Sequence, residues 1–165
     1  MNKAFEKIEG KIVSKEEAKK LIDLWKKQDL KVVFTNGCFD ILHSGHLKYL
    51  SEAWELGNKL VVGLNADVSV KILKGENRPI NNENSRALML ASLFFVDLVV
   101  LFEEETPENL ITTITPNILV KGGDYKIENI VGAKHVIENG GQVLPLSFVE
   151  GFSSTNIINK IKSEK

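Results

Sequence analysis

The sequence predicts an α/β protein in which a Rossmann-like, doubly wound sheet of five parallel strands is covered by helices on both faces. Short runs rich in valine, isoleucine and leucine alternate with longer amphipathic stretches along the chain. These runs lack the polar alternation of a half-exposed strand, which is typical of parallel strands buried on both faces. The strand–helix alternation indicates right-handed crossovers and therefore a parallel sheet.

The apolar runs give five predicted strands, at 32–34, 60–64, 98–102, 118–120 and 143–146. Apolar residues at helical spacing predict helices between and after them, at 46–56, 83–95, 108–113, 132–139 and 154–161. A further helix is predicted over about 15–28, because Ser14 and Glu17 fit a capping box and apolar residues follow at helical spacing. We therefore expect an N-terminal helical extension at 1–30, with a dimer contact as one hypothesis for its role, and a single domain at 31–165.

Composition excludes several classes of function. The 165 residues are 43% hydrophobic and 26% charged, with a net charge of -1, which argues against broad binding to nucleic acid or to a membrane surface. One cysteine excludes an internal disulfide framework and a cysteine-based zinc site. No apolar run approaches the ~20 residues that span a bilayer, and the first residues lack the apolar stretch of a signal peptide. A cytoplasmic protein is the expectation.

Ligands of a doubly wound sheet bind beyond the carboxyl ends of its strands. Four segments at those positions have unusual composition, at 35–46, 65–79, 121–125 and 150–155. They follow the first, second, fourth and fifth predicted strands. We expect the functional residues to lie in these four segments.

The first segment reads T-N-G-C-F-D-I-L-H-S-G-H and lacks both the dinucleotide and the P-loop glycine patterns. A helix is expected to begin near 44–46, where backbone amides favour an anion. His43 and His46 would donate hydrogen bonds to oxygens that gain charge, and Gly45 would allow close approach. The alternatives are ordinary surface histidines or a metal pair, but Asp40 is the only close carboxylate, which makes a poor zinc site. Cys38 is expected to pack as a small apolar group.

The other three segments add cations, glycines and hydroxyls. The second carries Lys71, Lys74 and Arg78 in a predicted loop, and Arg86 follows on the next helix. The third is K-G-G-D-Y at 121–125, and the fourth has a serine–threonine cluster at a predicted helix start, which suits an anion. The alternatives are solvated charges, a simple Gly-Gly turn and an ordinary helix cap. Whether the stretch at 66–79 closes over a ligand as a lid stays open.

The pattern G-x-F-D-x-x-H-x-G-H resembles the signature of the nucleotidyltransferase superfamily of cytidylyl- and adenylyltransferases. The resemblance implies a nucleotidyltransferase-type fold and attack on the α-phosphate of a nucleoside triphosphate, with release of pyrophosphate. The motifs L-K-G-x-x-R-P, L-V-K-G-G-D-Y and G-x-S-[ST]-T-x-I-I are similar to those of the D-glycero-β-D-manno-heptose 1-phosphate adenylyltransferases. That branch implies a stand-alone enzyme that makes ADP-heptose, a lipopolysaccharide core precursor. Ser154 departs from the threonine expected there.

The resemblance also implies roles for individual residues. The catalytic set would be His43, His46, Lys74 and Arg86, and the sugar phosphate would contact Arg78 and Tyr125. The nucleotide would contact the following residues: Thr35, Asn36, Gly37, Cys38, Phe39, Asp40, Gly45, Asn65, Lys121, Gly122, Gly123, Asp124, Gly151, Ser153, Ser154 and Thr155.

The implied substrates are ATP and a sugar 1-phosphate, and the implied assembly is a homodimer. Mg²⁺ would be held by the triphosphate with no direct protein ligand. Asp40 would either order its loop by accepting backbone N–H bonds or touch the metal through water. Two alternatives stay open: a cytidylyltransferase acting on glycerol 3-phosphate or ethanolamine phosphate, and a non-catalytic nucleotide sensor.

Overall fold

A computed structural model describes residues 2–147 and 153–163 and contains one sheet of five parallel strands. The strands are β1 (Val32–Gly37), β2 (Lys59–Asn65), β3 (Leu98–Phe102), β4 (Ile118–Gly122) and β5 (Gln142–Leu146). Their order across the sheet is β3-β2-β1-β4-β5, and every neighbouring pair is parallel. All five predicted strands are therefore confirmed.

Helices lie between the strands and at both ends of the described chain. They are α1 (Lys3–Glu9), α2 (Lys15–Lys27), α3 (Ser44–Glu55), α4 (Asp67–Lys74), α5 (Glu83–Ala91), α6 (Glu108–Ile114), α7 (Ala133–Glu138) and α8 (Ser154–Ser163), with a 3₁₀ turn at Ile127–Asn129. The helices predicted between and after the strands are present. Helix α1 and the 3₁₀ turn lie in stretches for which no element was predicted.

Helix α4 corrects the prediction that Lys71 and Lys74 lie in a loop. Both lysines belong to its last turn, and the helix ends at Gly75, whose φ of +92° suits a residue without a Cβ. Ser69 and Val70 are buried on its inner face. The prediction failed because eight residues give too short a periodic pattern, and the charges at the C-terminal end hid it.

The two faces of the sheet carry separate apolar cores. Val33 and Phe34 are adjacent in β1 and point to opposite faces, since side chains alternate along a strand. Phe34 packs in a core with residues of α2, α6 and α7, and Val33 packs in a core with residues of α3 and α5. This arrangement confirms the doubly wound fold, with helices on both faces.

The strand order reverses direction at β1. From β1 the chain first builds outward through β2 to β3, and it then returns to the other side of β1 to add β4 and β5. The crevice beyond the carboxyl ends of β1 and β4 is therefore the switch point at which open α/β sheets bind ligands. The strands deliver the segments at 35–46 and 121–125 to this crevice.

The helices before β1 pack on the sheet. The capping box is present, since Ser14 N donates to Glu17 Oε2 at 3.0 Å and Glu17 N donates to Ser14 Oγ at 3.2 Å. Ala18 and Ile22 on α2 are fully buried against the sheet. The boundary between an extension at 1–30 and the domain at 31–165, and the dimer contact, stay predictions. No helix in the described ranges has the length and apolar character needed to cross a membrane.

Candidate active site

A cavity of about 670 Å³ lies at the carboxyl ends of the strands. Many of the residues singled out from the sequence line it. They are Asn36, Gly37, Cys38, Phe39, Asp40, His43, Gly45, His46, Asn65, Lys74, Lys121, Gly122, Tyr125, Ser153, Ser154 and Thr155. Residues from four separate strand ends thus meet at one site, as the carboxyl-end rule predicts.

The loop after β1 is shaped by Gly37 and Phe39. Phe39 has a φ of +44°, a left-handed conformation that is uncommon for a residue with a bulky side chain. Its ring contacts the His46 ring edge-on, with centroids 5.2 Å apart. A Cβ on Gly37 would lie only 3.0 Å from the Phe39 ring, so a side chain at that position would push the ring from its place. Gly37 and Phe39 therefore fix the position of His46.

His43 and His46 form a stacked pair at the start of α3. Their ring centroids are 3.8 Å apart and their planes are inclined by 21°. His43 is the N-cap residue, and the amides of Ser44 and Gly45 precede the first helical hydrogen bond, from His46 N to His43 O. The pair therefore lies where backbone N–H groups and the helix dipole favour an anion.

Both histidines are held in the neutral form at pH 7. Burial, with smaller contributions from the charges of His43 and Lys74, lowers the pKa of His46 from 6.5 to about 4. Burial also lowers the pKa of His43. A neutral imidazole carries one N–H donor, and the tautomer decides which ring nitrogen carries it. For His46, a hydrogen bond to the backbone of Ile41 partly opposes the lowering of the pKa.

Asp40 joins the loop after β1 to the chain that follows α4. Its carboxylate accepts hydrogen bonds from Arg78 Nε at 2.7 Å, Ile80 N at 2.8 Å and Asn81 N at 3.0 Å. These three donors outweigh the effect of burial and lower the pKa of Asp40. The contacts match the first of the two roles expected for Asp40, the ordering of its loop through backbone N–H bonds.

Arg86 does not line the cavity, although a direct role in neutralising phosphates was expected. It is 2% exposed and donates Nη1 to Cys38 O at 2.6 Å and to Asn65 O at 2.8 Å. Its Nε donates to Asn81 O at 2.9 Å, and its Nη2 pairs with Asp67 at 2.7 Å. The guanidinium is thus bound to the ends of β1 and β2 and to the starts of α4 and α5. The buried Arg86 side chain therefore links these segments through its hydrogen bonds.

Lys74 and Lys121 bring positive charge to the cavity of a chain whose net charge is -1. Lys74 is exposed at the end of α4, close enough to His46 to contribute to its lowered pKa. Lys121 lies at the end of β4, with its Nζ 3.4 Å from Asn36 Oδ1, and burial lowers its pKa. A bound anion would favour the charged form of this lysine and so oppose the effect of burial.

The start of α8 supplies hydroxyl groups on the β5 side of the cavity. Ser153 Oγ caps the helix by accepting a hydrogen bond from Asn156 N at 3.0 Å. Ser154 Oγ donates to Ile41 O at 3.1 Å, which joins α8 to the loop that carries the histidines. Gly151 lies outside the described residues.

The other predicted residues lie near the cavity without lining it. Thr35 is buried below it, with its hydroxyl bonded to that of Tyr49. Arg78 bonds to Asp40, and its Nη2 is buried without a hydrogen-bond partner in the described part of the chain. Gly123 and Asp124 follow β4 but are not among the lining residues. Roles for all four in ligand binding stay predictions.

The structure adds lining residues that the sequence reasoning missed: Tyr49, Leu73, Glu105, Thr106, Pro107 and Val131. Tyr49 lies one helical turn after His46, so helical spacing could have indicated it. Glu105, Thr106 and Pro107 follow β3. The carboxyl-end rule applies to them as well, but the segment after the third strand was not singled out.

Comparison with known proteins gives the family. The family model described as cytidylyltransferase-like matches residues 34–160. The chain belongs to the cytidylyltransferase-like family. The match runs from β1 into α8, so it contains every residue that lines the cavity. The cytidylyltransferase-like region thus includes the whole candidate site.

Curated relatives of this cytidylyltransferase-like chain carry the name bifunctional protein HldE. The HldE of Campylobacter jejuni subsp. doylei is 54% identical over 165 residues, covering 99% of this chain and 34% of the relative. That of Campylobacter concisus is 56% identical over 157 residues, covering 95% of this chain and 32% of the relative. The chain thus spans about a third of the length of these relatives. The match to the first relative includes the residues before β1, which the sequence resemblance did not cover.

Two solved structures share the fold. A lipopolysaccharide core biosynthesis protein from Thermoplasma volcanium is 31% identical with a TM-score of 0.58, covering 73% of this chain and 97% of that one. A pantoate-beta-alanine ligase from Francisella tularensis has a TM-score of 0.59 at 15% identity, covering 92% of this chain and 77% of that one. The second likeness shows the shared fold only.

Proposed function

We propose that this chain transfers AMP from ATP to D-glycero-β-D-manno-heptose 1-phosphate, giving ADP-heptose and pyrophosphate. The observation that carries the proposal is the neutral, stacked pair of His43 and His46 at the start of α3, inside the switch-point cavity. The identity of the acceptor rests on the resemblance of the sequence motifs to those of the heptose 1-phosphate adenylyltransferases. The similarity to HldE proteins and to a lipopolysaccharide core biosynthesis protein supports it.

The reaction needs no catalytic base. A phosphate oxygen of the sugar phosphate attacks the α-phosphorus of ATP, and the bond from that phosphorus to the β-bridging oxygen breaks. The electron pair leaves with pyrophosphate. His43 and His46 donate hydrogen bonds to the α-phosphate as negative charge develops on its oxygens, and this stabilises the transition state. The protein mainly positions the reactants and neutralises charge.

Lys74 and Lys121 are the proposed phosphate ligands among the cations, since both line the cavity. Ser153, Ser154 and Thr155 are proposed to hold the leaving pyrophosphate at the start of α8. Arg86 is proposed as a positioning residue, because its guanidinium is bonded to Cys38, Asn65, Asp67 and Asn81 and does not itself line the cavity. Through Cys38 and Asn81, Arg86 is bonded to the loop after β1 and to the chain that follows α4, which Asp40 also joins.

Mg²⁺ is proposed to arrive with the triphosphate, whose oxygens would hold it. Among the described residues there is no group of three or more histidine, cysteine, aspartate or glutamate side chains that could hold a metal ion. Asp40 already accepts three hydrogen bonds, and a contact with the ion through water is the metal role proposed for it. When bound, the ion would neutralise phosphate charge, as Mg²⁺ does with few protein ligands.

Pyrophosphate release by the purified chain with Mg²⁺ tests the proposal. ATP and CTP are each offered with heptose 1-phosphate, glycerol 3-phosphate and ethanolamine phosphate. Release with ATP and heptose 1-phosphate alone is the expected result. Release only with CTP and a smaller phosphate would be consistent with the proposed role of the histidines but would contradict the proposed substrates. Binding of ATP with no release from any pair would favour a nucleotide sensor instead.

A further inference from the structure

A short acidic loop joins β3 to α6 and borders the cavity. Glu103, Glu104 and Glu105 are all exposed, but Glu105 lines the cavity and its two neighbours do not. Thr106 follows and also lines the cavity with an exposed side chain. The loop therefore offers the cavity one carboxylate and one hydroxyl.

Both ends of this loop are fixed. At its start, the carbonyl of the buried Phe102 accepts a hydrogen bond from Ala66 N at 2.9 Å. At its end, Pro107 is buried as the N-cap residue of α6, and its carbonyl accepts from Ile111 N at 2.9 Å. Because the anchors are held, Glu105 and Thr106 are presented at a defined place on the cavity edge.

The charge of Glu105 is unusual for a cavity built to take phosphates. The other lining carboxylate, Asp40, is bonded to Arg78 and to backbone amides. Within residues 2–147 and 153–163, no hydrogen bond or ion pair engages the Glu105 carboxylate. An ionised carboxylate only accepts hydrogen bonds, as phosphate oxygens do, so the two repel each other. The natural partner of Glu105 is a ligand group that donates, such as a sugar hydroxyl.

The geometry of the reaction indicates whether Glu105 faces the acceptor sugar or the ribose of ATP. Attacking and leaving oxygens lie roughly in line across the phosphorus. Ser153–Thr155, which would hold the leaving pyrophosphate, follow β5, while Glu105 follows β3. These strands are opposite edges of the sheet. The acceptor therefore approaches from the side on which the β3 loop lies.

We propose that Glu105 and Thr106 bind hydroxyl groups of the acceptor sugar and select a polyhydroxylated sugar 1-phosphate over smaller phosphates. The inference rests on the proposed function and assigns the recognition of its acceptor. The Glu105 carboxylate accepts from sugar hydroxyls in charge-assisted hydrogen bonds, and the Thr106 hydroxyl donates or accepts beside it. A small acceptor such as glycerol 3-phosphate offers fewer hydroxyls and gains less from the pair.

The test compares Glu105→Gln with the matched control Glu104→Gln in pyrophosphate release. Glutamine keeps the size of the side chain and removes its charge. In Glu105→Gln, kcat/KM for heptose 1-phosphate should fall by about 10-fold or more, the loss expected for a charge-assisted hydrogen bond. The preference for heptose 1-phosphate over glycerol 3-phosphate should shrink with it. The KM for ATP should stay within about 2-fold, and Glu104→Gln should match the unmodified protein in all three measurements.

Other outcomes overturn the inference in distinguishable ways. Unchanged kcat/KM for heptose 1-phosphate in Glu105→Gln rejects a role for the carboxylate. A raised KM for ATP, with unchanged kinetics for the acceptor, places Glu105 at the ribose instead. If the unmodified protein releases no pyrophosphate with heptose 1-phosphate, the proposed function fails first, and the inference falls with it before any variant is compared.

Discussion

The two sides of the cavity are built in contrasting ways. On the histidine side, Asp40 and Arg86 are 3% and 2% exposed and are bonded to several partners each. On the β3 side, Glu105 and Thr106 are exposed. Groups that stabilise a transition state work best when they are fixed in advance, because no reorganisation is then needed during the reaction. The contrast is what the proposals require, with fixed groups near the histidines for the chemistry and exposed groups after β3 for selection of the acceptor.

The largest expected effect comes from removing the buried guanidinium of Arg86 on the histidine side. Arg86→Met should lower the free energy of unfolding by about 3–5 kcal/mol, because Asp67 and three backbone carbonyls lose their partner. Urea denaturation gives the value. The control is Lys134→Met, which removes an exposed pair with Glu138 and should change stability by about 0–1 kcal/mol. Equal losses in the two variants would contradict the assigned role of Arg86.

Next in size is the loss of a transition-state donor. His46→Ala should lower kcat by about 10²–10³-fold with an unchanged circular dichroism spectrum, since one positioned hydrogen bond to the reacting phosphate is removed. The matched control is His135→Ala, because His135 lies on α7 and bonds to Thr115. Near-normal turnover by a folded His46→Ala protein would rule out the mechanism.

The partly buried His46 should also make stability depend on pH. The pKa of His46 is about 4 in the folded chain and near 6.5 when unfolded, so the unfolded state binds more protons between these values. The contribution of His46 is therefore fully present above pH 6.5 and is lost as the pH falls towards 4. Thermal unfolding at pH 7.5 and pH 5 should show a smaller decrease in Tm for His46→Asn than for the unmodified protein. An equal decrease in both would mean that His46 is not held neutral by its surroundings.

The smallest expected effect is at the start of α8, where one neutral hydrogen bond joins this helix to the loop that carries the histidines. Ser154→Ala removes the bond to Ile41 O and should raise the KM for ATP by about 2–10-fold. Ser163→Ala is the control, since Ser163 bonds to Lys160 O at the far end of the same helix. A similar change in both variants would assign the effect to helix stability and not to the site.

The parts of the structure that were predicted from the sequence depend on local patterns. The strands were visible as short apolar runs, and the loop before α3 as a motif with its histidines and glycines. The burial of Arg86 was not predicted because it depends on acceptors at Cys38, Asn65 and Asp67, which only the fold brings together. From the sequence alone, a basic residue near a phosphate-binding motif is predicted to bind phosphate, because its buried partners are not visible. Glu105 was missed for a related reason, since its position at the cavity is a property of the sheet order.

The pairing of residues 11–13 with β3 has a consequence for solubility. Val13 N donates to Val99 O at 3.1 Å, and Val99 N donates to Lys11 O at 2.9 Å, so this segment occupies hydrogen-bonding groups on an outer strand of the sheet. Open strand edges are templates for aggregation, and β3 reads L-V-V-L-F, a strongly apolar sequence. On the opposite edge, β5 carries Pro145, which has no N–H to offer another strand. The N-terminal segment thus covers hydrogen-bonding groups of β3 that would otherwise be open to another strand.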